Sequence, residues 1–273
     1  MSTTILTLLS VAFYLASCII IGRRLFGRDQ EKRPSRTLAL AMGFAGVFTH
    51  AILLYQNIIT IGSGLNLGFF NALSLTAGGI IFLLMISSLS KPVENLGIVL
   101  LPLATIPIIL AELYPSSSQL IGTDILGIKI HILVSMMAYS LFALASVQAV
   151  LLAIQDHQLR HRHPGGFIRT LPPLQTMESL LFEMIGAGFI LLSFALFSGF
   201  MYLDNMFAQH LVHKTILSIT AWIVFATLLW GRFQRGWRGQ TALIWTLSGF
   251  VVLMLAYFGS KAVIELILVA TIN

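Results

Sequence analysis

The sequence predicts an all-α fold, a polytopic bundle of eight membrane-spanning helices that forms a single integral membrane domain over residues 1–273. Of its residues, 57% are hydrophobic and only 10% are charged, whereas soluble domains carry about 25% charged residues. Because so few ions cannot cover a water-facing surface, lipid must be the main solvent of this chain. The apolar runs are continuous rather than alternating, which excludes a membrane β-barrel and leaves helices to satisfy the backbone in lipid.

Eight apolar runs approach or exceed the roughly 20 residues that a spanning helix requires. The first run lacks a preceding basic region and a small-residue cleavage site, so we expect a retained helix rather than a signal peptide. The fourth run contains Pro102 and Pro107, which remove donors that lipid cannot replace, so we expect it to be kinked or buried among other helices. The pattern leaves open whether the tail after Phe258 extends the last helix. The predicted spans are 3–22, 37–60, 69–90, 97–113, 127–154, 180–202, 211–231 and 240–260.

The basic residues are distributed unequally between the two sides of the predicted bundle. Of the sixteen Lys and Arg residues, all but three fall on one side, and the other side has only Lys129, Lys214 and Lys261. Because the positive side of a membrane protein faces the cytosol, we expect a bacterial inner membrane protein with both termini in the periplasm. The net charge of +6 therefore follows from topology and does not indicate a nucleic-acid partner.

The longest predicted inner loop, about 155–179, contains three histidines interleaved with arginines. Arginines repel a metal cation and Pro-Gly-Gly breaks the segment, so we favour a solvated basic loop over a metal site. Such inner loops also suit a membrane or cytosolic protein partner. The chain has one cysteine, Cys18, and neither a CxxC nor a CxxCH motif, so it is not itself a c-type cytochrome or a thiol oxidoreductase.

Four histidines near the predicted helices are candidates for a cofactor site. His50 lies inside the second span, where a histidine is either functional or hydrogen-bonded to a neighbouring helix. His131 begins the fifth span, and His210 and His213, which share a helix face, begin the seventh. Two imidazoles from different helices can bracket a haem iron, although histidines also favour membrane interfaces without any ligand. Two lysines flank these histidines and suit the propionates of haem: Lys129 and Lys214.

Several stretches follow one another in an order and spacing that fit a known family. Residues 64–75, with the sequence GLNLGFFNALSL, resemble the segment that leads into the third span of that family. Residues 130–139 resemble its outer histidine segment, "H-V-S-M-M-x-x-Y", and residues 186–199 resemble "G-F-x-L-L…S-G". Shorter pieces follow its last two spans: 220–222, 236–239, 249–250 and 256–259. Over about residues 45–260, the chain thus resembles the cytochrome c assembly superfamily of CcsA and CcmC type, and looks closest to its short bacterial YpjD-like branch.

This resemblance implies an outer pocket in which histidines hold haem beside a tryptophan-rich segment. His131 matches one of the outer histidines of the family, and His50 resembles its intramembrane histidine more loosely. Residues 204–214 contain no tryptophan where the family has a W-x-W-D type motif, and the tail 260–273 contains no second histidine. We infer from the residues, not from the family, that His210 and His213 at the start of the seventh span replace the second ligand.

The function expected from these observations is the binding or handling of haem at the periplasmic face, in relation to cytochrome c biogenesis. Two other classes stay open. A regulatory or accessory subunit, such as an effector of haem biosynthesis, would bind a protein partner through the basic inner loops and would co-purify with it without haem. An ion transporter or its helper would need a polar path at mid-membrane and would show ion flux in liposomes.

Overall fold

The computed structural model describes residues 2–27, 33–60, 64–115, 120–121, 126–161, 171–202, 212–259 and 261. Within these ranges, eight helical segments are long and apolar enough to cross a membrane, which confirms the predicted all-α fold with eight spans. A 3-10 turn, Glu94–Leu96, precedes the fourth helix, and a π turn, Leu255–Gly259, follows the eighth. In chain order the helices are α1 Thr3–Phe26, α2 Arg36–Ile58, α3 Phe69–Ser90, α4 Gly97–Leu113, α5 Leu126–Arg160, α6 Leu174–Tyr202, α7 Val212–Arg235 and α8 Gly239–Met254.

Helices α5 and α6 extend into polar sequence beyond the predicted spans. The predicted inner loop 155–179 is therefore shorter in the structure, because a helix can continue into water when local pairs support it. Asp156 and Arg160 form such an i,i+4 ion pair, with 3.0 Å between Oδ2 and Nε. The α6 helix begins immediately after Pro173, whose carbonyl accepts the first backbone bond, from Met177. Residues 162–170 of this loop lie outside the described residues.

The helices group into two compact units, α1 to α4 and α5 to α8. In the first unit, α1 and α3 each contact both α2 and α4. In the second unit, α5 and α7 each contact both α6 and α8. Each unit is thus a closed ring of four helices, and the single domain expected over residues 1–273 stays a prediction.

A line of hydroxyl groups on α1 joins that helix to its neighbours in the first unit. Ser10 donates to Thr49 Oγ1 at 3.0 Å, and Ser17 donates to the carbonyl of Ala39 at 2.8 Å. At the start of the helix, the carboxylate of Glu112 on α4 accepts hydrogen bonds from three threonine hydroxyls, those of Thr3, Thr4 and Thr7. Because lipid offers no hydrogen bonds, such pairs help to define which helices associate.

The α4 helix is continuous through both of its prolines. Pro102 has no N–H to donate to the carbonyl of Ile98, one turn earlier. The thiol of Cys18 on α1 lies 3.7 Å from that carbonyl oxygen and donates to it, although a thiol is a weak donor. A neighbouring helix therefore supplies the hydrogen bond that proline removes, in agreement with the expectation that this helix packs among others.

Three short strands, which the sequence did not predict, adjoin the ends of α2, α3 and α4 away from the basic side. They are β1 Ile59–Thr60, β2 Gly64–Asn66 and β3 Leu120–Ile121. Both pairings are antiparallel, with Ile59 opposite Leu65 and Leu65 opposite Ile121. Strands of two or three residues have too little alternation to be recognised in a sequence.

Stacked aromatic rings occupy the centre of the second unit. The rings of Phe142 and Phe225 are parallel within 13°, with centroids 3.8 Å apart, and both side chains are fully buried. A Cβ atom at Gly249 on α8 would lie 2.8 Å from Cζ of Phe225, so only glycine fits beside this ring. Small residues that admit a close neighbour are typical of helix packing in membranes.

Each unit has an arginine–glutamate ion pair at its basic end. In the first unit, Arg36 Nε lies 3.0 Å from Glu94 Oε1. In the second, Glu178 near the start of α6 accepts a hydrogen bond from Arg232, and its Oε1 lies 3.1 Å from Nε of Arg238. Within its own unit, each pair thus joins the ends of different helices.

Candidate functional site

The candidate site lies on the antiparallel pair α5 and α6, at the end of the second unit opposite its ion pair. Three contacts fix the register of this pair: Gly127 with Tyr202, His131 with Ser198, and Gln148 with Met177. A Cβ atom at Gly127 would lie 2.5 Å from ring atoms of Tyr202. Glycine at position 127 therefore lets the first turn of α5 approach the last turn of α6, which brings His131 against α6 one turn deeper.

His131 is half-buried and hydrogen-bonded through one ring nitrogen. Its Nδ1 lies 3.0 Å from the carbonyl oxygen of Ala195 and 3.0 Å from Oγ of Ser198. The Ser198 hydroxyl itself donates to the same carbonyl, also at 3.0 Å. Two polar atoms thus lie around Nδ1, and both of them belong to α6.

This arrangement assigns the neutral tautomer of His131 from its hydrogen bonds. A carbonyl oxygen can only accept, so Nδ1 must carry the proton that it donates to Ala195. The other nitrogen, Nε2, then has a free lone pair, and no hydrogen bond to it occurs within the described residues. A histidine whose Nδ1–H is held by a backbone carbonyl is in the form in which histidines bind metals.

The other predicted residues of this site are less closely placed. His213 is the second residue of α7 and is exposed, as is Lys129 on α5, whereas Lys214 is half-buried. No hydrogen bond or ring contact joins His131 to His213 in the part of the chain that the structure describes. His210 lies outside the described residues. Across those residues, no three His, Cys, Asp or Glu side chains form a metal-binding group.

Below His131, aromatic residues join α6 to α7. The rings of Phe189 and Trp222 stack with centroids 5.2 Å apart. Trp222 Nε1 donates to Ser193 Oγ at 2.8 Å. Of the tryptophans, Trp222 is the nearest in sequence to the predicted second ligand, and its indole N–H is therefore already hydrogen-bonded.

His50 lies in the first unit and is almost fully buried. Its Nδ1 is 3.1 Å from the hydroxyl of Tyr14 on α1, and its Nε2 is 2.9 Å from Oγ of Ser74 on α3. Both ring nitrogens are therefore engaged, and the imidazole links three helices. This geometry favours the helix-linking interpretation of His50 and leaves it no nitrogen for an iron atom.

The two histidines at the C-terminal end of α5 are exposed. The rings of His157 and His161 lie 4.4 Å apart, one helical turn from each other, and the Asp156–Arg160 ion pair lies beside them. Their surroundings are those of a charged, solvated helix end, as expected for the basic inner segment. The third histidine of this segment, His163, lies outside the described residues.

Ser198 and Ala195 were not among the predicted site residues. In the sequence, Ser198 falls only within the stretch 186–199 that resembles a segment of the family. A serine facing a histidine across two helices leaves no periodic signal, because the partners are 67 residues apart. The antiparallel register of α5 and α6, with Gly127 opposite Tyr202, is the feature that identifies the pair.

Comparison with known proteins places the chain in a family. The model of the family described as "Cytochrome C assembly protein" matches residues 38–268. The "Inner membrane protein YpjD" of Escherichia coli is 34% identical, over 96% of this chain and 99% of that protein. The "Uncharacterized 28.8 kDa protein in nifR3-like 5'region" of Azospirillum brasilense is 29% identical, over 84% of this chain and 85% of that protein.

The "Cytochrome c biogenesis protein CcsA" of Trichormus variabilis is similar over a shorter stretch. It is 31% identical over 87 residues, which are 31% of this chain and 25% of that protein. No solved structure matches the chain. From the family match over most of its length, this multi-pass membrane protein belongs to the cytochrome c assembly protein family.

Proposed function

We propose that the chain binds haem at the periplasmic face of a bacterial inner membrane, in a step related to cytochrome c biogenesis, with Nε2 of His131 as an axial ligand. One observation carries this proposal, namely that the Ala195 carbonyl and Ser198 hold Nδ1 at 3.0 Å and so direct the lone pair to Nε2. An interfacial histidine without a ligand would need no such fixed tautomer.

The residues present fit a haem group. A haem iron accepts one or two neutral imidazoles, and bound haem would supply an iron centre whose potential depends on these ligands. His213 begins α7 on the same side of the second unit as His131 begins α5, and its side chain is exposed, so it is our choice for the second ligand. His210 is the reserve, and Lys129 and Lys214 are our choice of partners for the propionates.

The periplasmic placement rests on the charges. In the second unit, Glu178 and Arg232 lie at the helix ends opposite His131. In the sequence, all but three of the sixteen basic residues fall on this same side of the predicted spans, and the positive side faces the cytosol. Both termini and the starts of α5 and α7 are then periplasmic. The relative from Escherichia coli is described as an inner membrane protein, which supports the same compartment. His50 stays outside this proposal because both of its nitrogens have partners.

The test is haem retention by the purified protein in nanodiscs. After loading with haem and removal of the excess, we expect the Soret-to-protein absorbance ratio to fall to background in His131→Ala and to fall in His213→Ala. His157→Ala, an exposed histidine at the other end of α5, is the matched control and should equal the wild type. Equal ratios for the wild type and His131→Ala would refute the site.

A regulatory or accessory role is the second candidate. It is favoured by the absence of tryptophan from residues 204–214 and by the small part of CcsA that the chain matches, 25% of that protein. The basic inner ends would then bind a membrane or cytosolic protein. The chain alone should fail to restore cytochrome c maturation in a strain that lacks its dedicated assembly protein, and restoration would exclude this candidate.

A further inference from the structure

The hydroxyl of Ser198 makes two polar contacts in the site that the packing of α5 against α6 does not by itself require. It donates to the carbonyl of Ala195, three residues earlier in α6, and lies 3.0 Å from Nδ1 of His131. A serine in a helix commonly bonds back to its own helix. Here the same oxygen also faces the imidazole of another helix.

The protons in this group can be placed in only one fully satisfied way. If the Ser198 hydroxyl donates to Ala195, its oxygen is free to accept, and Nδ1–H can donate to both α6 oxygens. If instead the hydroxyl turned to donate to Nδ1, the unprotonated Nδ1 would face the lone pairs of the Ala195 carbonyl at 3.0 Å. That second arrangement is repulsive, and it would also put the proton on Nε2 and block that nitrogen as a ligand.

The packing of α5 against α6 near His131 restrains its imidazole ring in this arrangement. Gly127, one turn before His131, lies against the ring of Tyr202, one turn after Ser198. The ring of Tyr202 therefore packs directly on the backbone of α5 one turn from the histidine. A hydroxyl already bonded to its own helix has a fixed direction, so it restrains the imidazole without a further loss of side-chain freedom.

We propose that Ser198 is a positioning residue, whose hydroxyl, together with the Ala195 carbonyl, holds His131 as the Nδ1–H tautomer and presents Nε2 as the ligand atom. The inference rests on the proposed haem site for its functional meaning, but the tautomer itself is a property of the protein without haem. Partners of this kind typically change metal affinity by about 10–100-fold when they are removed.

The first measurement uses the haem-free protein. Solid-state NMR of the protein labelled with ¹⁵N-histidine, with His131 assigned by comparison with His131→Ala, distinguishes protonated from unprotonated ring nitrogens. We expect the proton of His131 on Nδ1 and an unprotonated Nε2. A proton on Nε2 would overturn the inference whether or not haem binds.

The second measurement is the rate of haem loss from loaded protein to an acceptor in excess. We expect Ser198→Ala to lose haem about 10-fold faster than the wild type, the lower end of the range because the Ala195 carbonyl remains, and to show a shifted reduction potential. Ser198→Thr, which keeps the hydroxyl, should restore both values. Ser193→Ala is the matched control, because that hydroxyl on the same helix contacts Trp222 instead.

The outcomes separate this inference from the proposed function. If His131→Ala loses haem but Ser198→Ala behaves like Ser193→Ala, the site stands and the role of Ser198 is wrong. If Ser198→Thr behaves like Ser198→Ala, the hydroxyl is not the cause and the inference is likewise wrong. If His131→Ala retains haem as the wild type does, the proposed function fails, and the NMR measurement still decides the tautomer.

Discussion

Replacing His50 with leucine tests whether the buried imidazole of the first unit is a structural link between helices. Leucine has a similar volume and no polar atoms, so the change removes both hydrogen bonds of His50 with little change in packing. The partners left behind are the hydroxyls of Tyr14 and Ser74, at 3.1 and 2.9 Å from the ring nitrogens. The two hydroxyls differ in whether another hydrogen-bond acceptor is within their reach.

Ser74 can turn to the carbonyl one turn earlier in α3, so we expect almost no loss from its side. The hydroxyl of Tyr14 has no such option, because the side chain is fully buried and its oxygen is far from its own backbone. A buried hydroxyl without a partner is unfavourable by about 1–3 kcal/mol, and hydrogen bonds between membrane helices contribute about 0.6 kcal/mol on average and at most about 1.7. We therefore expect His50→Leu to lower the free energy of unfolding by about 1–2 kcal/mol.

The assay is a double-mutant cycle with Tyr14→Phe, measured by steric trapping or SDS titration in bicelles. Tyr14→Phe removes the orphan hydroxyl, so the double variant should lose less stability than the sum of the single variants, by about 1 kcal/mol. Additive effects within about 0.3–0.5 kcal/mol, the range for independent sites, would refute the hydrogen-bonded link. Haem retention in His50→Leu should equal that of the wild type, because the proposed ligands are in the second unit.

Three further predictions concern orientation, the basic end and the helix register. A reporter fused to the C-terminus should be active only in the periplasm, and a cysteine label in the loop within 155–179 should react only from the cytosol; the reverse pattern would overturn the assigned orientation. Glu178→Gln removes the negative charge that pairs with Arg232. Because the side chain of Arg232 is 24% exposed, we expect the free energy of unfolding to fall by about 1–3 kcal/mol, which is less than for a fully buried pair. An unchanged midpoint in the SDS titration would contradict this prediction. Gly127→Leu should push α5 away from Tyr202 and lower haem retention. Adding Tyr202→Ala should restore haem retention, because it removes the ring that the leucine contacts. If the double variant retains no more haem than Gly127→Leu alone, a steric clash is not the cause.

The number and positions of the helices could be predicted from the sequence because lipid imposes one length and one polarity on every span. The predicted boundaries are wrong where this constraint ends. The helix α5 continues to Arg160 and α6 begins at Leu174, in segments whose polarity indicated a loop. There the helix is supported by local pairs and by Pro173 at the start of α6, and hydropathy carries no information about either.

The candidate site could be predicted only in part, for a related reason. The position of His131 near a helix start follows from the hydropathy profile, but its partners on α6 depend on which helix lies beside α5 and in which register. Likewise, His50 was identified as an intramembrane histidine, whereas its saturation by hydroxyls of α1 and α3 requires the packing of three helices. A periodic pattern shows how deep a residue lies and not what it faces.

The two units also share a feature that their sequences do not show. Both units close into rings with the same order of neighbours. Short connections favour contact between consecutive helices, so this order needs no sequence similarity between the halves.

The hydroxyls at the start of α1 have a consequence for how the chain is made. Their acceptor, Glu112, follows Thr3, Thr4 and Thr7 by 109, 108 and 105 residues. At about 5–20 residues per second, the ribosome adds this acceptor roughly 5–20 s after it has added these three threonines. Until then, we expect the first helix to stay in the membrane on its apolar surface alone, while the hydroxyls of Thr3, Thr4 and Thr7 lack this acceptor. The hydrogen bonds between α1 and α4 can thus form only when the fourth span has been synthesised.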